Sequence, residues 1–277
     1  MGFIKNLKSL FSTNSDLVEA SSSVASISAS RNGAEQANLV WPDKNSKLYD
    51  QLEDTYYQYF IGVNSLLDLE LNSFEIDVIR SLNNTIKKTQ SLADEIPRLP
   101  DVVPKLIHLL KTNSFSWKEV ADLIATDPVI LVGVIKVANS SFYNLNVNNE
   151  QLESVLVKIG ASEVREIIIK VALKPIMLFE GGHFLKHSGT KIWIHAVKSA
   201  VASRTLAKLY HQDPFDAYLS GLLNNLGMTI VVQKMNEIKE FKNAPRSCQF
   251  RDKLLKISKQ LSVQIAENWE VNASVRH

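Results

Sequence analysis

Residues 116–145 read SWKEVADLIATDPVILVGVIKVANSSFYNL, and the order of chemistry along them specifies two consecutive helices. Ser116 and Glu119 stand at capping-box spacing: the hydroxyl accepts from the backbone N–H three residues on, and the glutamate reaches back. A helix therefore begins there and runs to Thr126. Asp127-Pro128 starts the next one, because an acid at the cap position takes unbonded N–H groups and a proline one place later has no N–H to lose. Ile130, Leu131, Val134, Val137 and Ala138 form its core-facing stripe, with Lys136 on the other side. Asn139, Ser140 and Ser141 follow as a polar cluster. Such residues commonly cap the preceding helix and bond the loop backbone, and they are also candidates for contact with a ligand or partner.

The same signals continue in both directions. Downstream, LESVLVKIGASEVREIIIKVAL (152–173) predicts two helical pieces broken at Gly160, a residue suited to the left-handed conformation that closes a helix. PIMLFEGGHFLKHSG (175–189) holds Pro175, Gly181, Gly182 and Gly189, and predicts a loop or broken helix. A long helix is expected from about Lys191 to Tyr210. Another starts at Asp213-Pro214 and is expected to end at Gly227. Two more runs lie around TIVVQKMNEI (229–238) and KLLKISKQLSVQIAENW (253–269). Upstream, KLYDQLEDTYYQYFIGVNSLL and NSFEIDVIRSLNNTIKKTQSLADEI carry three and four spacing, with Asn72 capping the second. Tyr56, Tyr57, Tyr59 and Phe60 read as core rather than as a base-stacking platform. No persistent alternation predicts a strand, so the fold class is all-α.

Composition bounds the rest. The 277 residues are 45% apolar, enough for a sizeable core, and 31 basic against 29 acidic residues lack the charge excess of a dedicated nucleic-acid binder. The single cysteine, Cys248, excludes an intrachain disulfide and predicts a reducing, cytoplasmic setting. No window is apolar enough to span a bilayer. The domain map is a short amphipathic segment at 1–11, a Ser- and Ala-rich flexible linker at 12–46, an N-terminal helical region at 47–92, and a main domain at 93–277. Pro97 and Pro100 mark the last boundary. Residues 1–11, MGFIKNLKSLF, set Phe3, Ile4, Leu7, Leu10 and Phe11 on one face; that suits a terminal peptide that folds back, and alternatively a weak membrane contact.

LPDVVPKLIHLLKTNSFSWKEVADLIATDPVILVGVIKVANSSFYNL resembles the opening of an HDOD domain, the HD-related output domain of bacterial signalling proteins. The features that carry this are the leading LP, the helix start at Asp127-Pro128 and the ANSSFY run from Ala138 to Tyr143. The resemblance continues through VLVKIGASEVREI, through Trp193 and His195, and through AYLSGLLNNLG, and ends near Trp269. It implies a multi-helix HD-like bundle, here preceded by an N-terminal helical segment, and a role in signal transduction.

HDOD domains in turn resemble the HD phosphohydrolases, in which a first His, an adjacent His-Asp pair and a later Asp bind divalent metal. On that resemblance the first ligand falls on His195, and the His-Asp pair falls on Asn224 and Asn225. A neutral amide oxygen is a weak donor to a transition metal and brings no negative charge, so these positions are read as a vestigial metal site. Without the cation no bound water is driven toward hydroxide. The later Asp has no match: KISKQLSVQIAEN contains none. The two amides are expected in the last turn of the helix that Gly227 ends, bonding carbonyls or a neighbouring helix.

The expectation is a non-catalytic protein with no cofactor and no metal, acting through an unidentified signalling protein or a nucleotide-like ligand. Asn139, Ser140, Ser141, Tyr143 and Trp193 are the candidate contact residues. Two alternatives stand beside it: a metal-dependent phosphohydrolase using His195, and a membrane-surface adaptor docking through residues 1–11. His183 and His187 have the HxxxH spacing of zinc sites, but the neighbouring glycines argue against a sustained helix there. No nucleophile frame or phosphate-cradling glycine loop accompanies them.

Overall fold

The computed structural model describes residues 47–87, 99–111, 115–143, 145, 151–178, 181–238 and 243–269. The segments read as 1–11 and 12–46 lie outside the described residues. Eleven helices make up the described chain: α1 Lys47–Ile61, α2 Ser73–Lys87, α3 Val102–Lys111, α4 Trp117–Ala125, α5 Pro128–Ala138, α6 Leu152–Ile159, α7 Ala161–Met177, α8 His183–Leu209, α9 Pro214–Leu223, α10 Leu226–Glu237 and α11 Cys248–Asn268. No strand occurs among the described residues; one isolated parallel bridge joins Leu67 and Ser247. The fold is all-α, as the periodicity requires.

By contact the chain divides into two compact units. Of the described residues, unit A takes those within 98–176 and 197–220, and unit B takes those up to 87, those within 177–196 and those from 221 onward. The helices at 47–87 thus pack in one unit with the C-terminal segment.

Unit A is closed at its helix ends by neighbours in sequence. Ser116 accepts from the Glu119 N–H at 3.1 Å, and Asp127 accepts from Val129 and Ile130 at 2.8 and 3.0 Å. Gly160 adopts φ 89°, as the break in 152–173 demands. Asp213 accepts from the Asp216 N–H at 2.7 Å. Val120, Ile124, Ile130, Val134, Ala138, Val155, Leu156 and Ile168 fill the core.

Unit B is closed by residues far apart. Asn72 and Glu75 exchange backbone-to-side-chain bonds at 3.0 and 2.9 Å, a capping box that starts α2. The same buried Glu75 carboxylate accepts the Ser247 N–H and hydroxyl, both at 2.9 Å, while Ser247 caps α11 by accepting from Phe250. One carboxylate therefore joins the starts of two helices 172 residues apart.

Two expectations are corrected here. The stretch 183–189 is helical: α8 begins at His183 and runs through Gly189. The start is made by Asn236, whose Oδ1 accepts from the Phe184 N–H at 3.0 Å, so a cap supplied 52 residues away replaces a local one. Second, Gly227 does not end a helix. The helix from Pro214 stops at Leu223, and Gly227 lies in the first turn of α10. A Cβ there would come within 1.8 Å of the Ser258 carbonyl oxygen, so its role is close approach of α10 to α11 rather than termination.

Candidate functional site

Asn224 and Asn225 occupy the two-residue link between α9 and α10, not the last turn of a helix. The turn splits them. Asn224 is exposed, and only its backbone is engaged, its carbonyl accepting from Ser262 Oγ at 2.9 Å. Asn225 is 0% exposed and points into unit B. It sits at the cap position of α10, yet its side chain makes no cap bond. That duty passes to Ser262, which accepts from the Gly227 N–H at 2.9 Å. Release from capping leaves the Asn225 amide for the interior.

There its Oδ1 takes two bonds. Tyr56 Oη donates at 3.0 Å, and His195 Nδ1 lies at 3.1 Å. An amide oxygen only accepts, so His195 must carry its proton on Nδ1 in this pair. A phenol is protonated and a donor at neutral pH, and burial pushes the Tyr56 pKa higher still. The rings of Tyr56 and Phe60 stand edge-on to the imidazole at 5.4 and 5.3 Å. Asn225 Nδ2, buried, has no partner among the described residues.

This donor set does not suit the metal that the HD resemblance implies. It supplies one imidazole, one amide oxygen already accepting two hydrogen bonds, and no carboxylate; Asn224 faces away. Among the described residues no group of three or more His, Cys, Asp or Glu is placed to hold an ion. His183 and His187 do share a helix face, but His187 Nε2 contacts Lys191 Nζ at 2.7 Å, a cation beside it rather than a carboxylate. Burial first and Lys191 second lower the His187 pKa.

The remaining candidates fall into different units. Trp193 belongs to unit B, where its ring is buried and its indole N–H has no acceptor among the described residues. Asn139, Ser140, Ser141 and Tyr143 belong to unit A. Asn139 is the C-cap of α5, and Ser140 Oγ donates to the Val137 carbonyl at 2.6 Å, so capping accounts for Ser140. Asn139, Ser141 and Phe142 remain exposed, the last at 66%. Tyr143 is half-buried, and burial, then Glu163 and Glu166, push its phenol up to about 12.

Sequence reasoning missed Tyr56 as a site residue. It read the aromatic cluster as core, which holds for Tyr57 and Phe60, both fully buried, but Tyr56 meets a residue 169 positions away. No local signal marks such a pairing. Glu75 was also passed over, though its spacing after Asn72 is that of a capping box.

The HDOD domain family model matches residues 96–277. The chain belongs to the HDOD family. Its helices α1 and α2, including Tyr56, precede the matched stretch. Two solved structures share the fold of this HDOD chain. One is an HDOD domain protein of unknown function from Geobacter sulfurreducens, 20% identical, with TM-score 0.51 over 70% of this chain and 68% of the other. The second, from Marinobacter aquaeolei VT8, is described as a candidate signal transduction protein; it is 22% identical, with TM-score 0.51 over 73% of this chain and 49% of the other. No curated protein sequence matches the chain.

Proposed function

We propose that this HDOD protein is a non-catalytic regulatory module of bacterial signal transduction that acts by binding a partner. The observation that carries the reading is the Asn225 oxygen. At the position where the HD resemblance puts a metal ligand, it is consumed by Tyr56 and His195. The site is built for internal hydrogen bonding between α1, α8 and the α9–α10 link. Family membership and the description of the Marinobacter neighbour support the signalling setting.

Metal analysis of the purified full chain, with hydrolysis assays on phosphomonoesters and cyclic nucleotides, tests this. The expected result is no stoichiometric iron, manganese, zinc or magnesium and no turnover. Metal-dependent hydrolysis lost in His195→Ala, with the melting midpoint preserved, would establish the phosphohydrolase reading instead. Affinity capture from the native host, comparing the full chain with a Phe142→Asp variant, addresses the partner; Phe142 is the most exposed large apolar side chain in the ANSSFY run.

A further inference from the structure

The C-terminal end of α1 is closed by side chains of α8. A helix leaves its last carbonyls without partners of its own, and here each of three finds a donor. Gln58 receives the Gly62 N–H at 2.9 Å, Tyr59 receives Lys191 Nζ at 3.0 Å, and Phe60 receives the Ser188 hydroxyl. Lys191 Nζ also lies over the Tyr59 ring, 4.7 Å from its centroid. The ammonium thus caps the negative end of the α1 dipole from 132 positions away.

His187 sits inside this clasp. Its ring lies against Gly62, which holds φ 81°: a Cβ there would come within 2.6 Å of Nε2. Nε2 is in turn 2.7 Å from Lys191 Nζ. An ammonium only donates, so Nε2 is the accepting nitrogen of a neutral imidazole whose proton is on Nδ1. A second proton, on Nε2, removes that acceptor and sets two cations at hydrogen-bond distance. Among the described residues the groups that act on His187 are Lys191 and His183 on its own helix and the Tyr59 carbonyl on α1. Burial first, then Lys191 and His183, disfavour the charged ring, and the carbonyl opposes them in part; the pKa falls below the ordinary 6.5.

We propose that His187 and Lys191 form an acid-sensitive latch that holds the end of α1 on α8. Neutral His187 and the Tyr59 carbonyl share the Lys191 ammonium; protonated His187 drives it away and releases that end. The unfolded chain takes up this proton at higher pH than the folded one, so the latch is fully formed above the ordinary histidine range and is lost as pH falls through it. The release reaches the neighbouring site, because the last two turns of α1 carry the Tyr56 hydroxyl to Asn225 and the Tyr56 and Phe60 rings to His195. The latch does not depend on how His195 and Asn225 function.

Histidine side-chain NMR of the full chain between about pH 8 and about pH 5, with peptide-resolved hydrogen exchange, tests it. His187 should carry its proton on Nδ1 at the upper end and titrate below the ordinary histidine value, and Lys191→Met should raise that pKa. Exchange in the last two turns of α1, corrected for the intrinsic rate, should rise about fivefold or more on acidification in the wild type. It should stay flat in His187→Gln, whose amide offers Lys191 an acceptor at every pH. A His187 pKa unmoved by Lys191→Met, or acid loss of α1 protection that is equal in His187→Gln, overturns the proposal. His187 is exposed, so its replacement leaves the core intact, and the pKa reading in Lys191→Met stands without that variant. Metal content and hydrolysis at His195 are read separately, so either reading can fail alone.

Discussion

Unit A and unit B handle the same problem, polar groups inside an all-helical protein, in opposite ways. In unit A the helix ends are satisfied within three residues, by Ser116, Asp127 and Asp213, and the interior polarity is ionic, centred on Glu166 and Arg204. In unit B the local caps of Asn72 on α2 and Ser247 on α11 are joined by distant ones, Asn236 on α8, Ser262 on α10 and Glu75 on α11, and the polarity around His195 consists of hydrogen bonds to an amide. Local caps form as each helix forms. Distant caps exist only once the unit is assembled, so unit B should be the more cooperative and the less tolerant of single changes.

The comparison breaks most visibly at Glu75. Glu75→Ala strips the acceptor from the Asn72 N–H and from both donors of Ser247, and should cost about 4 kcal/mol, since bonds to a charged acceptor are worth roughly 1.5 to 3 kcal/mol each. Hydrogen exchange resolved by peptide should show loss of protection throughout unit B; loss confined to the first turn of α2 would contradict the clasp. Gly227→Ala comes next, at about 3 kcal/mol, because the clash is with backbone of α11 and not with a side chain that can turn aside. A urea midpoint like that of the wild type would show the two helices to be loosely apposed.

Ser116→Ala supplies the contrasting case in unit A. Losing a local cap should cost about 1 kcal/mol and raise exchange only at the start of α4. Spread of that effect through unit A would erase the distinction between the units. A last contrast concerns pH. The folded pKa of Lys174 is lowered to about 8 from an ordinary 10.5, so the unfolded chain binds more protons between these values and stability rises with pH across that window. Lys136 and Lys170 face it and act in the same direction. Thermal melts from pH 7.5 to 10.5 should show the wild-type midpoint rising relative to that of Lys174→Met; a relative loss would reverse the sign and remove the desolvated ammonium.

Much of the architecture was legible. Ser116, Asp127-Pro128, Asn72, Gly160 and Asp213-Pro214 announced their helix ends because each acts on backbone within a few residues, and the three and four spacing of apolar residues fixed an all-α core. The HDOD resemblance was carried by contiguous runs, above all Ala138 to Tyr143. Where glycine was the signal, reading was harder. Gly160 and Gly227 look alike in a sequence, yet the first has a positive φ that closes a helix and the second is helical, kept small by the Ser258 carbonyl.

The sequence by itself determined that amides stand at positions 224 and 225 where the HD resemblance expects His and Asp, and so which chemistry these positions lack. Only the tertiary structure decided what the amides do instead. A two-residue turn sends one to solvent and one inward, Ser262 relieves Asn225 of capping, and Tyr56 arrives from 169 residues away to share its oxygen with His195. A covalent chain specifies its local bonds through a few torsions. A hydrogen bond between residues so distant is fixed only by the packing that brings their helices together, and that packing is a property of the whole unit.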